Sequence, residues 1–330
     1  MKAAFIKKTG PPQAITYGDL PKPKPEANQV LIKVEAATVN PVDTYIRSGT
    51  IAMDLPMPYI VGCDVAGTVE AVGSDVKRFQ PGARVWGSNQ GLLGRQGTTA
   101  RFVAVDECWL YPTPDDVESR DAAAISLVGI TAHLGLFRYA QLGTGDTLFV
   151  NGGTGGVGSC VVQMGRAIGA RVIATAGSDE KVSLARELGA DLAINYKTTD
   201  VDAAIRRFAP DGIDVWYETL REQDLERTVG LMNLGGRIIL MAGRDSKPRL
   251  PVGSFYTRDM KIFGFAMFNA PAEEQRKCAA EINRWMARKR LRPIIGEVMK
   301  FKDTAEAHRI QEAKTLQGKG SLTGKIVLVP

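Results

Sequence analysis

Two histidines, His133 and His308, are all that the 330 residues contain, and the four cysteines, Cys63, Cys108, Cys160 and Cys278, stand far apart. Cysteines so scattered give no disulfide framework, and free thiols are expected. There is no four-cysteine lobe for a structural zinc, and the two histidines fall in separate segments of helical pattern. No apolar run is expected to reach the length of a membrane span. The opening Met1-Lys2-Ala3-Ala4-Phe5-Ile6 is too short and wrongly flanked for a signal peptide and reads as a first strand, so a cytoplasmic protein is expected. No aromatic ladder or zinc knuckle accompanies the basic excess of +6, which is spread along the chain. Its densest run, Arg284 to Arg292, closes a predicted helix, where cations complement the macrodipole, so no nucleic-acid partner is expected. Internal repeats and low-complexity tracts are missing too.

What is present is a soluble, globular composition, 44% hydrophobic and 24% charged, long enough for two domains. Residues 1–120 read as short strands between glycine and proline turns. Val30 to Glu35 and the region from Thr68 to Val72 alternate at period two, and Pro21 to Glu26 is an extended connector. Such irregular β-structure fits a small barrel-like domain. The pattern changes near Asp121. Asp121 to Ala140 predicts a long helix, and strands and helices then alternate. Strands are expected at Thr147 to Asn151, Arg171 to Thr175, Leu192 to Tyr196, Ile213 to Glu218, Arg237 to Ala242 and, last, Lys261 to Phe268. Helices are expected at Gly156 to Gly169 and Ser178 to Leu188, with others between the later strands. The alternation means βαβ units and a parallel sheet covered on both faces, an α/β fold. Pro271 to Leu291 and Asp303 to Leu316 predict two further helices, and Gly324 to Val329 a final strand.

Strand Thr147 to Asn151 runs into Gly152-Gly153-Thr154-Gly155-Gly156-Val157-Gly158, in which Gly153, Gly155 and Gly158 satisfy G-x-G-x-x-G. One glycine makes the tight turn, one lets backbone approach a pyrophosphate, and one lets helix pack on strand. The helix N-terminus then aims amide donors at the anion. An NAD site usually carries an acid at the end of the second strand. Here that strand ends in the small, neutral Ala176-Gly177-Ser178, with Lys181 one turn onward. Ser178 and Lys181 suit the 2′-phosphate of NADP. The rival arrangement has Asp179 holding an NAD ribose.

Several segments, taken in order, carry a resemblance. They are Val39-Asn40-Pro41-Val42-Asp43-Thr44-Tyr45-Ile46-Arg47-Ser48-Gly49, Tyr59-Ile60-Val61-Gly62-Cys63-Asp64-Val65-Ala66-Gly67, Gly129-Ile130-Thr131-Ala132-His133, the glycine turn, Ile194-Asn195-Tyr196 and Gly324-Lys325-Ile326-Val327-Leu328. Over nearly its whole length the chain resembles the medium-chain dehydrogenase/reductase superfamily, and within it the zinc-independent NADPH:quinone oxidoreductases of the zeta-crystallin type. The resemblance implies a GroES-like catalytic domain built from residues 1–121 and 269–330, with a Rossmann domain, residues 122–268, inserted. It also implies an active site in the cleft between them, and homodimers formed by edge pairing of Rossmann sheets. In zinc members a cysteine stands where this chain has Asn40, and Gly-His-Glu where it has Gly62-Cys63-Asp64. Neighbours on a strand point to opposite faces, so Cys63 and Asp64 are poor co-ligands and no metal is expected. Cys63 reads as a buried small residue or, alternatively, a reactive thiol. His308 reads as a helix surface residue.

Without metal, the protein must orient a carbonyl or enone against the nicotinamide by polarity alone. The resemblance places the segment holding Asn40, Asp43, Tyr45 and Arg47 beside nicotinamide and substrate. Asn40 is expected to hydrogen-bond the carbonyl or a ribose, Tyr45 to donate to a developing oxyanion, and Asp43 to orient its neighbours. A cap or turn is the structural alternative for each, and Arg47 reads equally as an anchor between strands. By the same resemblance Thr131 lies near the nicotinamide, Tyr196 with Lys181 on the adenine side, and Lys314 near the cofactor. The backbone of Phe265, Ala266 and Met267 meets the carboxamide. Ala242, Gly243 and Arg244 end a parallel strand, where dinucleotides bind. The chain departs from the family pattern at Ile51, where a tyrosine is usual, and in the glycine-rich loop Asn89 to Thr98. It departs again at Glu218-Thr219-Leu220-Arg221, which replaces Asp-Ser-Val-Gly. The expectation is a zinc-independent, NADPH-dependent reductase of quinones or α,β-unsaturated carbonyls. The alternative is a non-catalytic, NADPH-binding, crystallin-like structural or RNA-binding protein.

Overall fold

The structure is a computed structural model that describes residues 1–320 and 322–330. Two compact units emerge, Met1–Leu127 with Pro271–Pro330, and Val128–Ala270. The first boundary lies within a helix, six residues beyond the expected one, because Leu127 is still held by the first unit: its amide donates to the Asp64 carboxylate (3.1 Å).

In the first unit, β1 (Lys2–Ile6) pairs with β2 (Thr16–Asp19) and, further on, with β4 (Tyr59–Ile60). The long β3 (Gln29–Val39) leads into α1 (Pro41–Ser48). Helix α1 starts where Asn40 is extended and Pro41 supplies the fixed φ of a first helical residue. The Asp43 carboxylate accepts the Asn40 amide at 2.7 Å, and Gly49 stops the helix at φ 83°. Strands β5 (Val65–Val72), β6 (Arg84–Gly87), β7 (Phe102–Asp106) and β8 (Leu110–Pro112) follow. The chain then enters α2 (Ser119–His133), which continues into a π-helical turn, Leu134–Tyr139.

Ser119–Tyr139 corrects the expectation that no run is apolar enough for a membrane span. Its most apolar window has a mean hydropathy of 1.3, and 78% of that window is buried. A helix apolar on every side is a core helix when protein surrounds it.

The second unit contains β9 (Thr147–Asn151), α3 (Gly156–Ala167), β10 (Arg171–Ala176), α4 (Asp179–Glu187), β11 (Leu192–Asn195), α5 (Val201–Phe208), β12 (Ile213–Glu218), α6 (Leu225–Leu231), β13 (Met232–Leu240), α7 (Val252–Tyr256) and β14 (Lys261–Gly264). Among the described residues these six strands form one all-parallel sheet in the order β11-β10-β9-β12-β13-β14. This is the 3-2-1-4-5-6 order of the doubly wound dinucleotide-binding fold, whose direction reverses between β9 and β12. Phe149 and Trp216, stacked at 3.9 Å on those two strands, anchor its core with Ile173, Ile213 and Ile238. Strand β14 ends at Gly264, short of the expected Phe268. Phe265 leaves the ladder to stack on Tyr139 (4.8 Å), and Met267–Asn269 form a 3-10 turn.

The chain then returns to the first unit as α8 (Ala272–Ala287), β15 (Ile295–Lys300), α9 (Thr304–Gln317) and β16 (Lys325–Val329). Strand β16 lies antiparallel to β3, with Ile326 opposite Val39, so the end of the chain meets the start of α1.

Candidate active site

At the carboxyl end of β9 the chain turns sharply at Gly152 (φ +82°), not at Gly153 as the motif alone suggests. Two of the three motif glycines answer a measurable crowding. A Cβ on Gly153 would lie 2.6 Å from the Ala174 Cβ, and one on Gly158 2.1 Å from the Gly152 carbonyl oxygen. At Gly155 the nearest atom is 3.5 Å away, and the residue is exposed. Gly155 caps α3 without a side chain, so the amides at the start of that helix are not taken by a side-chain cap. The turn is held from behind: Thr175 Oγ1 accepts the Gly152 amide (2.9 Å) and donates to Asn151 Oδ1 (2.7 Å), and the Thr175 carbonyl accepts the Gly153 amide (2.9 Å). Thr154 is buried, while Gly156 and Val157 are half-buried at the rim. An uncapped helix N-terminus behind an open glycine corner fits a dinucleotide pyrophosphate.

On the next strand end Ser178 caps α4, its hydroxyl accepting the Lys181 amide (3.4 Å). Asp179 is exposed, and its carboxylate accepts from Asn195 Nδ2 at 2.7 Å. Tyr196, 53% exposed, lays its ring against Gly177, where a Cβ would be 2.6 Å from the phenol oxygen. Gly177, Ser178, Lys181 and Tyr196 therefore gather beside the end of β10. Gly243 (φ +86°) approaches the Arg221 carbonyl so closely that a Cβ would lie 2.3 Å from it, and Gln223 Nε2 bridges the carbonyls of Leu220 (2.8 Å) and Ala242 (3.0 Å). Arg244 is exposed beside them. Thr131 is buried in α2, its carbonyl accepting from the Tyr217 hydroxyl (3.0 Å). Phe265, Ala266 and Met267 leave the sheet directly after β14.

The segment expected to meet the substrate looks inward in the first unit. Asn40 is fully buried: its Nδ2 donates to Asp64 Oδ2 (2.8 Å), and its Oδ1 accepts from the Lys325 ammonium. Asp64 also takes the hydroxyls of Thr38 (2.6 Å) and Ser88 (2.7 Å) and the Leu127 amide, and Lys325 Nζ lies 3.8 Å from it and 3.2 Å from the Val39 carbonyl. The expectation that Asn40 reaches a substrate carbonyl or a ribose is corrected on this geometry, because both ends of its amide are spent inside the network. Asp43 is buried and caps α1. Burial pushes its carboxyl up to about 6, with the Cys63 thiol beside it drawing it down and the Asp64 charge adding to the rise. Burial likewise pushes the Cys63 thiol far up, helped by both carboxylates, so it stays protonated, which favours the small buried residue over the reactive thiol. Tyr45, on the same helix, is half-buried.

Arg47 is an anchor between helices rather than strands. Fully buried, it donates to the Gly10 carbonyl and to the Glu312 carboxylate, tying α1 to the N-terminal segment and α9. His308 is a second correction: it is buried, not a surface residue, and burial together with the Arg47 charge drives its pKa down to about 3. Lys314, further along α9, is exposed.

The alcohol dehydrogenase GroES-like domain model matches residues 26–115, and the zinc-binding dehydrogenase model residues 156–284. The quinone oxidoreductase of Sus scrofa is 34% identical over 331 residues, covering 100% of this chain and 98% of that protein. The chain belongs to the medium-chain dehydrogenase/reductase superfamily, among its quinone oxidoreductases. The NADPH-dependent alkenal/one oxidoreductase of Arabidopsis thaliana chloroplasts is 37% identical over 232 residues, 68% of this chain and 58% of that protein. A crystal structure of an NAD-dependent alcohol dehydrogenase matches at a TM-score of 0.88 and 29% identity, over 100% of both chains. The first unit is thus the GroES-like domain of a medium-chain oxidoreductase and the second its Rossmann domain.

Zinc stands in the description of one matching model, and the resemblance sets the ligands of zinc members at Asn40 and at Cys63 with Asp64. The donors at the corresponding place are an amide, a protonated thiol and a carboxylate already filled by four hydrogen bonds, with a lysine ammonium against them. Among the described residues, no group of three His, Cys, Asp or Glu is placed to hold a metal. The roles of Gly152, Thr175, Thr38, Ser88 and Lys325 do not show in the sequence. The one signal available for Lys325 was a charge opening an otherwise apolar C-terminal strand.

Proposed function

We propose that this quinone oxidoreductase family member is an NADPH-dependent reductase of quinones or α,β-unsaturated carbonyls that works without zinc. The observation that carries the reading is the open Gly155 corner at the uncapped start of α3. Amides of Gly156, Val157 and Gly158 would hold the pyrophosphate, Tyr196 the adenine side, and Ser178 with Lys181 the 2′-phosphate. The names of its relatives divide between NADPH and NAD, so this chain's own residues favour one: Asp179, the acid an NAD ribose needs, is taken by Asn195. Bound NADPH supplies the hydride. Tyr45 donates to the oxygen of the acceptor as charge develops there, and the Asp43 cap fixes the helix that carries Tyr45. Thr131, the backbone of Phe265 to Met267, the Ala242 to Arg244 turn and Lys314 complete the cofactor's surroundings. In this reading the protein is a cytoplasmic homodimer formed by edge pairing of the parallel sheets.

NADPH oxidation against a panel of quinones and enones, with NADH in parallel and a chelator present, tests the reading. Turnover of at least one acceptor class, with NADPH preferred and the chelator without effect, is expected. Turnover of neither class points to a nucleotide-binding protein without catalysis. Loss of activity in chelator overturns the metal-free mechanism.

A further inference from the structure

The parallel sheet carries a buried carboxylate that the proposed function does not use. Glu218 is the last residue of β12 and sits opposite Asn151, the last residue of β9, at the reversal of strand order. It is 3% exposed. Its Oε2 accepts from Asn151 Nδ2 (3.0 Å) and Trp216 Nε1 (3.1 Å), and its Oε1 accepts the Leu220 amide (2.8 Å). Asn151 passes the connection on: its Oδ1 accepts from Thr175, whose oxygen accepts the Gly152 amide. A second strap closes the circuit, because the Thr219 hydroxyl donates to the Asn151 carbonyl, and a Cβ on Gly152 would come within 2.8 Å of that hydroxyl. One carboxylate thus joins two loops that leave different strands, the glycine turn after β9 and the segment Thr219 to Arg221 after β12.

We infer that Glu218 is a positioning residue which locks the glycine turn and the post-β12 loop in one register and thereby sets the protein's affinity for its dinucleotide. The inference rests on the NADPH reading and adds the residue that shapes the cradle. Both oxygens of Glu218 face only donors, so the site wants an acceptor at each corner. Burial raises its pKa, while Asn151, the Leu220 amide and Trp216 pull it back down. Arg227 of α6, paired with Asp202, is the cation that acts on it. One side chain thus reaches its own strand's Trp216, the neighbouring strand's Asn151 and the loop beyond.

The test uses Glu218→Gln, which keeps length and volume but presents an NH2 group to one set of donors, so one arm of the tie must open. Two quantities are read: hydrogen exchange of peptides covering Gly152 and Leu220 in nucleotide-free protein, and NADPH affinity followed by cofactor fluorescence. Exchange is expected to quicken in at least one of the two loops and the NADPH Kd to rise about tenfold, with kcat and the acceptor KM unchanged. Asn151→Ala breaks the same tie from the other end and serves if Glu218→Gln folds poorly. With both variants folded, the double variant should bind no worse than the weaker single one. Wild-type affinity and unaltered exchange in a folded Glu218→Gln overturn the inference, as does full additivity of the two substitutions. Failure of the wild type itself to bind NADPH sinks the proposed function as well, whereas tight wild-type binding beside an indifferent Glu218→Gln sinks only this inference.

Discussion

The two polar centres of this protein are built on opposite plans. Around Asp64, four side chains, from β3, the cap of α1, the end of β6 and β16, converge with the Leu127 amide of α2, and the carboxylate takes four hydrogen bonds with an ammonium beside it. Around Gly155 side chains are withdrawn: the start of α3 is capped by none, and the nearest atom to a Cβ would be 3.5 Å off. A buried group whose partners are all within the protein holds shape, whereas a binding site shows as hydrogen-bonding capacity left for something else. That difference moves Asn40 from substrate contact to scaffold, although it lies in the segment that carries much of the family resemblance.

The contrast breaks first, and with the largest effect, at Asp64. Asp64→Asn leaves Lys325 buried beside a neutral amide and turns an NH2 group towards donors. A loss of about 3–5 kcal/mol is expected, since removing one partner of a buried pair strands the other. Lys325→Met should cost less, because Asp64 keeps its four donors. Urea denaturation of the whole protein, followed by tryptophan emission, to which the buried Trp86 of the GroES-like unit contributes, measures both. If the order is reversed, the centre is not the filled scaffold described.

Next come the glycines. Gly158→Ala forces a methyl to 2.1 Å from the Gly152 carbonyl oxygen, so backbone must shift; the melting temperature should fall and the NADPH Kd rise by about a hundredfold. Gly155→Ala has room, so stability should hold while affinity drops about tenfold through the crowded corner. Equal effects at the two positions would erase the distinction between a structural glycine and a ligand-facing one.

Acid sharpens the comparison, because Asp43 sits at the edge of the filled centre facing Asp64, Lys325 and Cys63. Its folded pKa, about 6, lies above the roughly 3.9 of an unfolded aspartate. The sign follows: Asp43 favours the fold most below its unfolded pKa, and that contribution is lost as pH rises through about 6. Asp43→Asn cannot ionise. It should therefore gain on the wild type between pH 4 and pH 7.5, by about 2–3 kcal/mol as an order of magnitude. His308, held near 3, has the opposite sign, but it is common to both proteins and cancels in their difference. Parallel stability curves across that range would refute the assignment.

Much of this was legible in the sequence wherever a local period or a turn rule decides. The parallel sheet, the glycine motif between β9 and α3, and the boundaries of α3 and α4 follow from alternation and from spacing within a few residues. The partners around Asp64 were not, because positions 38, 40, 64, 88, 127 and 325 meet only through the sheet, and burial patterns say which side chains turn inward but not what they meet. His308 was misplaced for the same reason: the buried Arg47, paired with the half-buried Glu312, makes its side of α9 an interior one. Lys261 to Phe268 read as a strand throughout, yet the stacking of Phe265 on Tyr139 ends it at Gly264, a tertiary contact overriding propensity.

The smallest effect expected bears on which dinucleotide the open centre takes. Ser178 spends its acceptor on the Lys181 amide, and Glu180 is drawn below the usual carboxylate range by the Ser178 hydroxyl, so Ser178→Ala would disturb the helix cap along with any phosphate contact. Lys181→Ala is cleaner. It should lower kcat/KM for NADPH about tenfold and leave that for NADH unchanged, because only the 2′-phosphate calls for the cation. Asp179→Ala supplies the counter-test. Its carboxylate is tied to Asn195 in the NADPH reading, so NADH turnover should be indifferent to its loss. A selective fall in NADH turnover would mean that the aspartate leaves Asn195 to grip a ribose, and the preference would then belong to NAD.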